Sequence, residues 1–106
     1  MESEASSLQF ARAARTLGHA ARAQGWMVPG YRCPPRVLGA ERTLRRRPGG
    51  GFTVAIRMRG RPWSAVLADM VEGLVVANGL VGPQADRARD HLWAALEADG
   101  SATVAA

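Results

Sequence analysis

Apolar residues recur along the chain with two different periods, and each change of period marks an element. Between residues 6 and 24, Phe10, Ala13, Ala14, Leu17, Ala20 and Ala21 fall on one face at about 100° per residue, which predicts a helix. Ser6 and Gln9 match a capping box at its start, and Gly25 suits the position just past its end. Arg12, Arg15, His19 and Arg22 share the opposite face. From residue 52 the period falls to two. Phe52, Val54, Ile56 and Met58 alternate with Thr53, Ala55 and Arg57, the pattern of a strand with one apolar side. The helical period returns over 62–78, where Trp63, Val66, Leu67, Met70, Leu74 and Ala77 align behind Pro62 at the first helical position. Val71, Val75 and Val76 widen that apolar arc, so this helix is either central or shared with a second copy of the chain. Asn78-Gly79 ends it. A last helix over 83–98 begins at Pro83, carries Asp86 in its first turn, and turns Ala85, Ala88, Leu92 and Leu96 inward with Trp93 beside them.

The strand at 52–58 needs a partner, and alternation fixes the register. Directly opposed residues point to the same side, so Leu44 must face the side of Val54. A four-residue loop over 48–51 pairs Arg45 with Val54 and fails. A three-residue loop, Pro48-Gly49-Gly50, pairs Arg46 with Phe52 and Leu44 with Val54, and fits a type I turn followed by a left-handed glycine. The predicted hairpin spans 40–59. Its other face shows Arg45 opposite Thr53, Thr43 opposite Ala55 and Glu41 opposite Arg57, with Arg47 and Arg59 at the two ends. Arg42 and Arg46 point inward and must snorkel to the edge. Residues 26–39, broken by Pro29-Gly30 and Pro34-Pro35, read as a connector in which Trp26, Met27, Val28 and Tyr31 cover the core. Ser101 to Ala106 reads as a frayed tail or a short edge strand. The expectation is one α+β domain over 1–106, with its core in 6–99 and the order α-β-β-α-α plus an optional final strand.

Charge changes this picture. The chain holds 14 basic residues, all arginine, against nine acids. Nine of those arginines lie between Arg32 and Arg61 with the single acid Glu41, a balance of +8 in a molecule of net charge +5. A GC-rich genome, as in many bacteria, would produce arginine in place of lysine, but would not concentrate it in one segment. Such a cluster is the footprint of a polyanion-binding surface. The first residues are acidic with no apolar run behind them, so a cytoplasmic protein without membrane association is expected. Much of the apolar content is alanine, which predicts a thin core and self-association.

Candidate chemistry is sparse. Asp69 and Glu72 share a helix face, but no nucleophile or phosphate loop accompanies them, so a solvated face or a bridge to hairpin arginines is the favoured role. Ser64 has no triad partners and reads as a helix-start residue. Cys33 is the one thiol; Arg32 beside it is a reason for a lowered pKa, and a passive loop cysteine is the plainer reading. His19 and His91 have no metal-ligand spacing. No cofactor, metal or small-molecule substrate is implied, and no enzymatic role. Gly79-Leu80-Val81-Gly82 is a G-x-x-G between two helices. With the order α-β-β-α-α and a closing strand, it resembles the type II K-homology arrangement of RNA-binding domains. That resemblance implies a G-x-x-G clamp on a nucleic-acid backbone. A helix-to-helix turn is the alternative role for the same residues.

The expected function is nucleic-acid association through the arginine-rich hairpin face. Arg45, Arg47, Arg57, Arg59 and Arg61 would contact phosphates, Thr43 and Thr53 would add hydroxyls, and Arg12, Arg15 and Arg22 would extend the patch. A two-stranded ribbon is narrow enough to enter a major groove. No aromatic side chain interleaves the outward arginines, so backbone contacts to DNA or RNA with low sequence specificity are expected rather than base stacking. A homodimer joined through Val71, Val75 and Val76 is expected, which would place two basic hairpins on one assembly; the alternative is a homodimeric interaction module with no nucleic-acid role.

Overall fold

A computed structural model describes residues 6–34 and 39–102. The order is α1 (Ser7–Ala23), β1 (Gly30–Arg32), β2 (Arg42–Arg46), β3 (Phe52–Ile56), α2 (Trp63–Ala77) and α3 (Gly82–Ala98), an α+β fold with three helices and a three-stranded mixed sheet. The expected order was one strand short. Gly30-Tyr31-Arg32, read as connector, lies parallel to β3, which therefore sits at the centre of the sheet β1-β3-β2. This extra strand also departs from the K-homology order. Any closing strand after residue 102 falls outside the described residues, as do residues 35–38 of the connector and 103–106 of the tail.

The hairpin has the register that alternation demands. Leu44 faces Val54, Arg46 faces Phe52 and Arg45 faces Thr53, and the Arg57 amide donates to the Glu41 carbonyl at 3.0 Å. The turn differs in type. Gly50 N donates to the Arg47 carbonyl at 3.2 Å, and Gly49 stands at φ +88° in the third turn position, which makes it type II rather than type I. Only a residue tolerant of positive φ fits there, and the glycine run supplies it.

Helix α1 begins as expected, with both capping-box bonds between Ser6 and Gln9 formed. Such a cap contributes about 1 kcal/mol. Helix α2 lies on β3 and β2 with α3 beside it, and α1 packs mainly on α3. Being surrounded explains the wide apolar arc of α2. Val71 and Val75 are fully buried in the chain's own core, so they are not a surface for a second copy; Val76 alone of the three is exposed. The close approach of α2 to the sheet depends on Gly73, where a Cβ would meet the Val54 methyls at 2.7 and 3.0 Å. Pro62 stands at the N-cap rather than the first helical position, so the helix starts at Trp63, one residue later than expected.

Polar side chains fasten the connections. Asn78 brackets Met27 with both amide atoms: its Oδ1 accepts from the Met27 amide at 2.7 Å, and its Nδ2 donates to the Met27 carbonyl at 2.8 Å. The Tyr31 hydroxyl donates to the Met70 carbonyl at 3.0 Å and ties β1 to α2, while burial raises the phenol's pKa. Trp63 Nε1 donates to the Ser101 carbonyl at 2.6 Å. Ser101 is buried and Ala102 packs on the core, so the chain is still pinned where a frayed tail was expected. Asp99 stands at this end of α3. Desolvation raises its pKa, but hydrogen bonds from Thr16 and Ser101 and the charge of Arg12 outweigh this and hold it below the ordinary range.

Candidate functional site

Register places every residue of the sheet on one of two sides. Tyr31, Leu44, Val54 and Ile56 point toward α2. Gly30, Arg32, Thr43, Arg45, Thr53 and Ala55 point away from it. No described helix covers this second side. Ala55 sits at its centre on the middle strand, with Arg32 of β1 and Thr43 of β2 directly beside it. Thr53 precedes it and Arg57 follows it two residues along, and Arg45 stands diagonally. A small residue among long ones leaves a hollow. Ala55 is the floor of a recess of about 230 Å³ lined by Arg32, Pro34, Ala40, Thr43, Arg45, Thr53 and Arg57.

The recess holds several of the residues singled out from sequence and adds one. Arg45, Arg57, Thr43 and Thr53 all line it. Arg32 is the addition. It lay in a segment too short and too proline-flanked to be read as a strand, yet pairing with Ala55 turns it onto this face. Arg47 lies at the margin. Its Nε donates to the Phe52 carbonyl at 3.2 Å and the Thr53 hydroxyl at 3.1 Å, and its guanidinium lies over Gly30, which has no side chain to block it. Arg59 is exposed in the turn after β3.

Other arginines are engaged elsewhere. The Arg61 side chain is only 7 % exposed. It pairs with Asp69 at 2.6 Å and Glu41 at 3.4 Å and donates to the Arg57 carbonyl at 3.0 Å. It joins the hairpin to α2 and is not an open phosphate contact. Arg42 leans toward Asp69 at 3.7 Å, and Arg46 lies 5.9 Å from the centre of the Phe52 ring, so the inward arginines reach the sheet margin as expected. Arg57 is partly engaged, with Glu41 3.7 Å from its Nη2. Among the described residues, Arg32, Arg45 and Arg59 have no acid within ion-pairing distance. Arg12, Arg15 and Arg22 are exposed on α1, whose Phe10 packs edge-on against Tyr31 from the covered side of the sheet. They do not extend the sheet's basic face. Arg12 donates instead to the Asp99 carbonyl.

The remaining candidates are structural. Glu72 is held by Arg89 through two hydrogen bonds at 2.7 and 3.0 Å, which separates it from Asp69 and its arginines. Ser64 is exposed at the start of α2. Cys33 is exposed, yet partial desolvation pushes its thiol up to about 11, the opposite of an activated thiolate. In the G-x-x-G, Gly79 and Gly82 take positive φ while Leu80 is buried, so these residues turn the chain between α2 and α3. His91 meets the Ala20 carbonyl at 3.2 Å and the edge of Trp26. Among the described residues, no three His, Cys, Asp or Glu side chains gather as a metal site, and no helix is long and apolar enough to cross a membrane.

The site is thus an open sheet face with a basic rim and a small uncharged floor. Compared with protein-family models, curated proteins and solved structures, the chain matches none.

Proposed function

We propose that the protein binds nucleic acid through the open face of its sheet, chiefly by phosphate contacts and with little sequence preference. The observation that carries this reading is the ring of Arg32, Arg45 and Arg57 with Thr43 and Thr53 around Ala55, on a side that no described helix covers. Guanidinium forks match phosphate oxygens, and the threonine hydroxyls serve as additional donors. Arg59 and Arg47 extend the face at either end. The role is that of a binding protein rather than an enzyme, in a cytoplasmic setting where nucleic acid is the abundant polyanion.

Each phosphate neutralised by arginine releases condensed counterions, so the logarithm of the binding constant falls linearly with the logarithm of salt concentration. Three to four contacts give a slope of about −3 on a duplex and somewhat less on a single strand. Fluorescence anisotropy with mixed-sequence oligonucleotides across a salt series measures it. Arg32→Ala, Arg45→Ala and Arg57→Ala should each make the slope shallower by roughly one contact, while Arg15→Ala on α1 leaves it unchanged. No association at low salt overturns the reading.

A further inference from the structure

We infer that the recess over Ala55 seats one unpaired nucleotide, so that the face selects single strands over duplexes. This rests on the nucleic-acid reading above and names its substrate class. Charge alone does not require a hollow, because a flat basic face contacts phosphates equally well. The hollow is there because the central strand places alanine between flanking strands that carry Arg32 and Thr43 directly beside it. Strands lie about 4.8 Å apart, so those side chains rise as walls one strand spacing away. At about 230 Å³ the recess is smaller than the roughly 300 Å³ at which sites for whole drug-sized molecules begin. It fits one unit of a longer ligand.

The lining is what an unpaired nucleotide asks for. Ala55, Ala40 and Pro34 offer apolar surface to a ring, and the threonine hydroxyls can pair with its edge. Guanidinium planes take the place of aromatic side chains, since arginine stacks on bases and attracts their π faces. Arg47 is prepared for this, because its Nε is already held by the Phe52 carbonyl and the Thr53 hydroxyl. A duplex keeps its ring faces inside the stack and presents a convex line of phosphates, so it can reach the rim but not the floor.

The test compares a labelled mixed-sequence single strand, the matching duplex and an inorganic polyphosphate chain, which carries charge without rings, on the full chain at one salt concentration. Ala55→Leu fills the floor and leaves the charge unchanged. It should weaken single-strand binding about 5-fold or more, the lower end of what one stacked base contributes, and leave duplex and polyphosphate binding within about 2-fold. The unmodified protein should bind the single strand most tightly of the three. Ala55→Val, suited to a strand, provides the same readout if the leucine variant melts early. Duplex or polyphosphate bound as tightly as the single strand, or single-strand affinity unmoved by filling the floor, overturns the inference and leaves the phosphate-binding reading standing. Binding to none of the three overturns both.

Discussion

The covered and open sides of the sheet use the same residue type differently. Toward α2, Arg61 and Arg42 converge on Asp69, and Arg61 is almost wholly enclosed by Glu41, Asp69 and backbone carbonyls. On the open side, Arg32 and Arg45 meet no acid among the described residues and project beside a floor of alanine. A charge removed from water must be matched within the fold, whereas a charge left in water is available to a ligand. Net charge in the sequence therefore overstates the basic surface left open to solvent. Some of the basic cluster is a fastening between the hairpin and α2.

The largest contrast is expected from neighbours on the central strand. Val54 is fully buried and Thr53 faces the open side. Val54→Asp places an unpaired carboxylate under α2 and should cost about 4 kcal/mol or unfold the protein outright. Thr53→Asp should change stability by no more than about 0.5 kcal/mol while weakening oligonucleotide binding. Urea denaturation of both variants checks this, and equal loss in the two would mean that the sheet's sides are not distinct.

Next in size is the contrast between the two kinds of arginine. Asp69→Ala leaves Arg61 enclosed without its nearest counter-charge. Fully buried pairs broken in this way lose roughly 3–5 kcal/mol, and since Asp69 keeps some exposure, about 2 kcal/mol is expected here. Arg45→Ala should cost under about 0.5 kcal/mol and act on binding instead. A stable Asp69→Ala variant with weakened binding would reverse the roles assigned to the two sides.

These contrasts were only partly legible in the sequence. Helix α1 was readable because its cap, its apolar face and its terminal glycine are local signals that agree. The hairpin register was readable because a one-residue slip would turn Leu44 and Val54 to opposite sides. Strand β1 was not readable. Three residues between two prolines carry no measurable period, and their pairing with β3 is long-range and parallel. Without β1, Arg32 had no face and the recess had no third wall. Likewise Arg59 and Arg61 look alike in the chain, yet one is exposed and the other enclosed, because only the fold brings Asp69 to one of them. Val71 and Val75 suggested a partner because an apolar arc does not reveal whether α1 and α3 or a second copy covers it.

Two glycines sharpen the comparison at smaller magnitude. Both Gly73 and Gly30 lie against another side chain, one on each side of the sheet. At Gly73 a Cβ would press on Val54, whose branched side chain is locked in the core. Helix propensity alone favours Gly73→Ala by about 1 kcal/mol, but overpacking costs about 1–3 kcal/mol, so net destabilisation of about 1 kcal/mol is expected. At Gly30 the Cβ would meet the free end of Arg47, which can swing away. Gly30→Ala should therefore leave stability within about 0.5 kcal/mol and act by displacing Arg47 from its place beside the recess. Thermal unfolding separates the two, and a stabilised Gly73→Ala protein would show that α2 is not held against β3 as closely as Val54 requires.

The smallest effect is expected where the two kinds of arginine meet. Glu41 is exposed and stands between Arg61 on the covered side and Arg57 on the open side, at 3.4 and 3.7 Å. It is the one acid in the basic segment, and on the proposed function it would compete with a phosphate for Arg57. Glu41→Gln removes that competition and a repulsive charge near the ligand. Stability should change by no more than about 0.5 kcal/mol, since pairs to an exposed carboxylate contribute little and Arg61 keeps Asp69. Affinity for an oligonucleotide should rise about 2-fold at low salt, because a single charge near the site is screened over roughly 10 Å at 0.1 M salt. The gain should shrink as salt is added, while the Ala55→Leu effect, which involves no charge, should persist. A Glu41→Gln protein that binds more weakly would mean that Glu41 holds Arg57 in place for the ligand rather than against it.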